Sequence, residues 1–341
     1  MGRTIRSAAI RGAGRATARA VRGFVLSGAA MIALGGAPPA AAEDYPAHPV
    51  RVITTTSAGG LSDIFMRALG EELRQKWGHP LVIENRPGGA MNVGARACAD
   101  SPPDGYTICI INADAMIYNQ FLFKKLPFDP EHSVVPVTNA FHLIHMLVVN
   151  SQLHVKTVDE LIELSKRKPG TLSYLSPGIP MVLYMETLKK EKGADWVRVP
   201  FRGGGEAVNA ILGGTTPIGL FGEGNVIGNV RAGQMTPLVM MNNIRSPNFP
   251  QVPLLTEVGY NGPPSRSWYG IFAPAGTPKV IVDKVSKDIG EIIGRPDFRE
   301  RHLTARSLVA AANTPEEFAA EIKSDRAVAA KVVRDAGFEP Q

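Results

Sequence analysis

Val50-Arg51-Val52-Ile53-Thr54-Thr55-Thr56-Ser57-Ala58-Gly59-Gly60-Leu61-Ser62-Asp63 is the stretch that decides the fold. A β-branched run at residues 50–53 reads as a strand, and Gly59-Gly60 as a turn. Beyond it Ile64, Phe65, Ala68, Leu69 and Leu73 recur at helical spacing as far as Trp77. Strand, glycine turn and helix in that order make one βα unit, and the pattern continues outward. Leu81-Val82-Ile83 is the next strand, and residues 107–111 form another after the Asp104-Gly105 turn. Thr157 precedes a helical segment with Glu160 three residues on, the spacing of a capping box, and Pro169-Gly170 stops it. Residues 206–212 read as a short helix bracketed by Gly203-Gly204-Gly205 and Gly213-Gly214, and residues 280–293 and 315–336 as two longer ones. Thr314-Pro315-Glu316-Glu317 opens the last with a cap, a first-turn proline and first-turn carboxylates. Alternation of this kind predicts an α/β architecture, and no repeat of solenoid length interrupts it.

The chain has 341 residues, 44% of them apolar and 20% charged, enough for two domains. Its formal charge of +6 suggests an acidic partner such as nucleic acid until the charges are located. Six of the 37 basic residues, Arg3, Arg6, Arg11, Arg15, Arg19 and Arg22, precede residue 43, where no acid occurs, so 31 basic residues face 31 acidic ones afterwards. The arginines lead into an apolar run from Phe24 to Leu34 and a small-residue stretch ending Ala40-Ala41-Ala42. These are the parts of a secretory signal, predicted over residues 1–42 with cleavage near Ala42 and delivery to the periplasm. The apolar run falls short of the roughly 20 residues of a spanning helix, and its compactness favours export over a mitochondrial targeting peptide. Without the leader the formal charge is zero, so no nucleic-acid partner is expected, and the mature chain is not membrane-embedded. Cys98 and Cys109 are too few for a disulfide framework; one bridge or two buried thiols both fit.

The familiar catalytic and phosphate-binding motifs are missing: no G-x-S-x-G, no G-x-x-x-x-G-K-[ST], no H-E-x-x-H. His142 and His145 lie in an apolar, strand-like stretch, where a spacing of three puts side chains on opposite faces and suits packing better than metal binding. No metal or cofactor is expected. Glycine-rich turns recur instead: residues 57–63, Ser176-Pro177-Gly178 and Arg202-Gly203-Gly204-Gly205-Glu206. Such turns expose backbone N–H groups at helix N-termini, which favour a carboxylate or phosphate, and the strand-to-helix edge of an open α/β sheet is where ligands bind. The plainer alternative is that the glycines only make tight turns and that Ser62 and Asp63 cap a helix.

Several segments together resemble the extracytoplasmic solute-binding receptors of tripartite tricarboxylate transporters, the Bug family. They include Tyr45-Pro46-Ala47-His48-Pro49-Val50-Arg51, Gly59-Gly60-Leu61-Ser62-Asp63, Glu84-Asn85-Arg86-Pro87-Gly88-Gly89 with Asn92-Val93-Gly94-Ala95, and Pro103-Asp104-Gly105-Tyr106-Thr107. Later come Leu126-Pro127-Phe128-Asp129, Val199-Pro200-Phe201-Arg202-Gly203-Gly204, Ser267-Trp268-Tyr269-Gly270 and Ala273-Pro274-Ala275-Gly276-Thr277-Pro278. The resemblance implies a two-domain type II periplasmic-binding-protein fold with two crossover strands and an interdomain cleft. It implies a first domain of residues 43–148 and 268–341, a second of residues 149–267, and crossovers near Val148-Val149-Asn150 and Ser267-Trp268. A small organic acid would be held largely by backbone N–H groups, hydroxyls and water at Ser57, Ala58, Gly59, Gly60, Ser62, Asp63, Asn112, Asp114, Ser176, Gly178, Gly203, Gly204 and Phe221.

Departures from the family pattern bear on specificity. Thr54-Thr55-Thr56 replaces prolines and an aromatic and offers hydroxyls to a polar ligand. Asp114 stands where a small hydroxyl residue is usual, either capping the following helix or meeting a ligand amine or hydroxyl. Pro217 and Phe221 replace frequent aspartates, and Phe221 is expected to form an aromatic wall. The expected ligand therefore has one carboxylate and a substantial apolar or aromatic body, unlike citrate. The function implied is a non-enzymatic, monomeric receptor serving the membrane subunits of a tripartite transporter or a sensor kinase. The rivals are a secreted enzyme using Asp114 or Glu223 on a small carboxylic acid, and a surface-interaction protein.

Overall fold

The structure is a computed structural model that describes residues 45–176, 179–199, 204–260 and 266–335. The leader over residues 1–42 and the site positions Gly178 and Gly203 lie outside them. In chain order the first group of elements is β1 (Val50–Thr54), α1 (Leu61–Trp77), β2 (Leu81–Asn85), α2 (Asn92–Ala99) and β3 (Thr107–Asn112). A π-helical turn (Asp114–Tyr118) then runs into α3 (Asn119–Leu122), followed by β4 (Val134–Leu143). The second group is β5 (His145–Asn150), α4 (Val158–Arg167), β6 (Ser173–Leu175), α5 (Ile179–Lys192), β7 (Val197–Arg198), α6 (Gly204–Leu212), β8 (Ile218–Gly222), α7 (Glu223–Arg231) and β9 (Met235–Met240). The chain closes with β10 (Trp268–Pro274), α8 (Lys279–Gly294), α9 (Pro296–His302), β11 (Leu308–Ala310) and α10 (Pro315–Asp335).

The strands form two sheets, a six-stranded one in the order β11-β4-β10-β3-β1-β2 and a five-stranded one in the order β7-β6-β8-β5-β9. Strands β2, β1 and β3 run parallel, as the glycine-turn βα units require, while β10 runs antiparallel to both β3 and β4. In the second sheet β7, β6 and β8 are parallel and β5 opposes β8 and β9. The chain leaves the first sheet at Leu143, enters the second at His145 and rejoins the first at Trp268. Val148 and Val149 both lie inside β5, paired with Gly219 and Ile218 of β8.

Each sheet is covered on both faces, which explains why its strands are apolar runs. Alternate residues supply opposite cores: Ile108 and Ile110 of β3 join Val50, Val52, Phe65 and Phe141, while Cys109 and Ile111 join Ile53, Trp268 and Phe318. In the second sheet Leu147 and Val149 pack with Trp196 and Tyr174, and Met146 and Val148 with Ile211 and Phe221. The helix signals act as expected at two starts. Thr157 Oγ1 accepts the Glu160 N–H at 3.1 Å, although the Glu160 carboxylate reaches Lys156 N–H (2.6 Å) and not the cap residue. At α10 the box is reciprocal: Glu317 N–H donates to Thr314 Oγ1 (3.2 Å) and Thr314 N–H to Glu317 Oε2 (2.9 Å). Cys98 and Cys109 resolve to a disulfide that ties α2 to β3, with Cα atoms 6.1 Å apart.

Candidate functional site

The turn between β1 and α1 is assembled around Asp63. Its carboxylate accepts from Gly59 N–H (2.9 Å), from Arg67 Nε (3.0 Å) and Nη2 (2.9 Å), and from Asn85 Nδ2 (3.1 Å). The Arg67 hydrogen bonds hold this 2%-exposed carboxyl below the usual carboxylate range, against the opposing effect of burial. Asn85, at the end of β2, also donates to Thr54 Oγ1 (2.7 Å) and to the Thr56 carbonyl (3.1 Å), stitching β2 to the turn. Gly59 has φ +77°, where a side chain is disfavoured, and a Cβ on Gly60 would come within 2.7 Å of Thr56 Oγ1 and 2.9 Å of the Ser57 carbonyl oxygen.

This bracing redistributes the expected roles. Thr54 and Thr55, expected to offer hydroxyls to a ligand, are buried; Thr54 donates to the Thr56 carbonyl and Thr55 to the Ile110 carbonyl. Thr56 Oγ1 and Ser62 Oγ share a 2.7 Å hydrogen bond. The Gly59 amide is bound to Asp63 and the Gly60 amide to the Ser57 carbonyl (2.9 Å). Ser57, Ala58 and Gly59 are exposed at the turn's crest, and Gly60, the residue preceding α1, has no side chain to cap the first-turn amides of this 17-residue helix. The first-turn amides of residues 61–63 therefore have no side-chain cap at the positive end of the helix, beneath the exposed crest, with Leu61 half-buried and Ser62 and Asp63 buried.

The turn after β3 lies beside it, because β1 and β3 are parallel neighbours with Thr54 opposite Ile110. Asn112 is buried; its Oδ1 accepts Ala115 N–H (3.3 Å) and its Nδ2 donates to Asp114 Oδ2 (3.1 Å). Asp114 is half-buried and starts the π-helical turn, a rare geometry that is frequent at functional sites. Burial pushes its carboxyl up to about 6, and the Asn112 hydrogen bond only partly offsets that. The same carboxyl helps to raise the phenols of Tyr118 and Tyr269, after the larger effect of their own burial.

At the corresponding edge of the second sheet, Ser176 is buried directly after β6, and Gly204 opens α6. Phe221 does not stand as a wall on that edge. It is 1% exposed, sits in the core with Met146, Leu175 and Ile211, and lies over Gly219, where a Cβ would meet its ring at 2.3 Å. The alternation of β8 accounts for this, since Ile218 and Leu220 face the other core. Glu223 is fully buried at the start of α7, with Oε1 accepting from Asn248 Nδ2 (2.7 Å). His142 is the penultimate residue of β4 and His145 the first of β5, on either side of the passage between sheets. Burial lowers both imidazoles, His145 to about 4, and among the described residues no three His, Cys, Asp or Glu side chains converge as a metal site.

Sequence reading missed Asn85 and Arg67 as braces and Tyr118 and Tyr269 as neighbours of Asp114. The quoted Glu84-Asn85-Arg86 segment marked the first of these as notable without giving it a partner.

Two α/β sheets joined by two passages of the chain, with an uncapped helix start at the end of a parallel strand, define a two-domain binding protein of the solute-receptor class. The family described as "Tripartite tricarboxylate transporter family receptor" matches residues 65–335, and the chain belongs to it. Protein BugT of Bordetella pertussis is 29% identical over 306 residues, 89% of this chain and 94% of that protein. Among solved structures, R. palustris Rpa4515 with adipate is 25% identical with a TM-score of 0.77, covering 87% of this chain and 100% of that one. MatC from Rhodopseudomonas palustris with bound malate is 25% identical with a TM-score of 0.72, covering 85% of this chain and 100% of that one.

Proposed function

We propose that this protein is a periplasmic receptor that captures a small carboxylic acid between two lobes and presents it to a membrane transporter or a sensor, without covalent chemistry. The observation that carries the reading is the uncapped start of α1, held at the end of β1 by the Asp63 brace in a member of a receptor family. A carboxylate there meets aligned N–H groups and the positive end of a helix dipole, a favourable arrangement that needs no side-chain cation. The adipate and malate bound by two structural neighbours support the ligand class. Asp114, Asn112 and Ser176 would complete the polar lining, with Gly178, Gly203 and Gly204 contributing backbone. The burial of Phe221 removes the aromatic wall and favours aliphatic acids over aromatic ones.

The sheet pairings support lobes built from residues 45–143 with 268–335 and from residues 145–260, with the division at Ile144. No helix among the described residues is long and apolar enough to cross a membrane, and the sequence of residues 1–42 supports export.

The test is native mass spectrometry of the purified protein together with a thermal-shift panel of malate, adipate, citrate and benzoate. A retained mass in the organic-acid range, or a rise in Tm with malate or adipate, is expected. An acid-free protein that none of the four shifts would overturn the reading.

A further inference from the structure

We propose that a contact on the opposite side of the hinge from the glycine turns sets how tightly this receptor holds its ligand. The two strand orders place it. In the first sheet β4 and β10, where the chain leaves and returns, lie between β11 on one side and β3-β1-β2 on the other. In the second sheet β5 lies between β9 on one side and β8-β6-β7 on the other. The turns after β1, β3 and β6 thus share one side of the crossovers. Ser307, just before β11, and Asn248, in the segment after β9, share the other.

On that side the two halves of the molecule touch. Asn248 Nδ2, already bonded to the buried Glu223, reaches Ser307 Oγ at 3.4 Å. Beside the crossovers, Gly224 at the start of α7 is so close to Arg306 that a Cβ would lie 2.8 Å from its carbonyl oxygen. A cavity of about 350 Å³ adjoins the contact and is lined from both halves, by Ile144, Ile244 and Pro247 facing Leu303, Ser307 and Val309. Among the described residues the buried side-chain atoms without a hydrogen-bond partner are Tyr184 Oη in α5 and, around the crossovers at the start of α7 and on β5 and β4, the trio Glu223 Oε2, His145 Nδ1 and Asn139 Oδ1. Buried polar atoms are almost always satisfied, so a cluster of exceptions calls for an explanation. Rotation at the crossovers changes the surroundings of all three together.

Rotation that closes the glycine-turn side opens the opposite side. The Asn248–Ser307 contact therefore belongs to the open form and is given up on closing. Such a contact reduces the apparent affinity, because the ligand must draw the protein out of the state that the contact favours. Glu223 acts here as a positioning residue, orienting Asn248.

The proposal rests on the receptor reading above, yet its first test needs no ligand. Spin labels at Val93→Cys and Val197→Cys, both exposed and on the glycine-turn side, report the distance between the halves by pulsed EPR. In the ligand-free protein, Ser307→Gly, which suits that residue's φ of 57°, and Asn248→Ala are each expected to raise the population at the shorter distance. Affinity for malate or adipate should tighten by about threefold to tenfold, the worth of one hydrogen bond. Conversely, an oxidised Asn248→Cys/Ser307→Cys pair should abolish binding, and mild reduction that spares the buried Cys98–Cys109 bridge should restore it. Distances unchanged in both single variants would overturn the proposal. Shifted distances in a protein that binds neither acid would support the contact and count against the ligand assignment alone.

Discussion

The turns after β1 and β3 stand side by side at one sheet edge, and each holds an aspartate in a different state. Asp63 accepts hydrogen bonds from a backbone amide, an arginine and an asparagine, and its carboxyl is lowered. Asp114 has one amide partner, Asn112, and two tyrosines nearby, and its carboxyl is raised to about 6. Both differ from an exposed carboxylate through the balance of desolvation and donors, and the number of donors decides the sign. Asp63 is thereby committed to structure. Asp114, with fewer partners, keeps the capacity to meet a ligand.

The sharpest way to break that contrast is Asp63→Ala. It strands one donor of Asn85 and releases the amide of the exposed Gly59 and the half-exposed Arg67, both of which can return to water. The cost is expected to be about 2 kcal/mol in urea unfolding at pH 7, chiefly the unsatisfied Asn85 donor and the lost bonds of the turn, since the exposed Arg67 leaves no buried charge behind. The wild-type contribution should be complete above the ordinary carboxylate value and be lost as pH falls through the lower folded value, because the unfolded chain takes up the proton first. A loss under 1 kcal/mol would mean that the turn holds itself without Asp63.

Asp114→Asn tests the other turn and carries the opposite sign. A folded carboxyl at about 6 keeps its proton while the unfolded one, near 4, has lost it, so this group destabilises the fold progressively as pH rises from about 4 to 6 and by a constant amount above. Discounted for its half-buried setting, the penalty at pH 7 is about 2 kcal/mol. The asparagine variant should be more stable than the wild type by about that amount at pH 7 and equal to it near pH 4. A gain that does not change with pH would show that Asp114 titrates normally.

The contrast also shows what the sequence could and could not reveal. Strands and helices were legible because glycine and proline punctuate strongly apolar runs, and the first strand, turn and helix came out nearly residue for residue. Asp63 was legible as a turn residue, but its partner Asn85 closes the brace from the next strand, and only the β1–β2 pairing brings it there. The environment of Asp114 depends on Tyr269 of β10, which crosses β3 opposite Asn112 after the chain has built the whole second sheet. Phe221 lies in the core and not at a wall because two-residue alternation fixes which side chains share a face of β8 and leaves open which face carries the cleft. The Cys98–Cys109 bridge stayed undecided because it depends on how α2 packs on β3. Local pattern specifies elements, whereas a site is made of pairings between them.

The smallest effect is the most discriminating. Gly59→Ala introduces a Cβ that meets nothing within 4 Å, so the φ of +77° is the whole cost, about 1 kcal/mol in unfolding stability. Its amide already belongs to Asp63, and that hydrogen bond does not involve the Cβ. If the acid is held by the N–H groups of residues 61–63, affinity for malate or adipate should stay within about twofold of wild type, since the stability loss falls on bound and free protein alike. A drop of tenfold or more, with stability changed by only about 1 kcal/mol, would mean that the crest itself grips the ligand. The brace would then be remade when the acid binds, and Asp63 would have to release the Gly59 amide to a carboxylate that competes for the same proton.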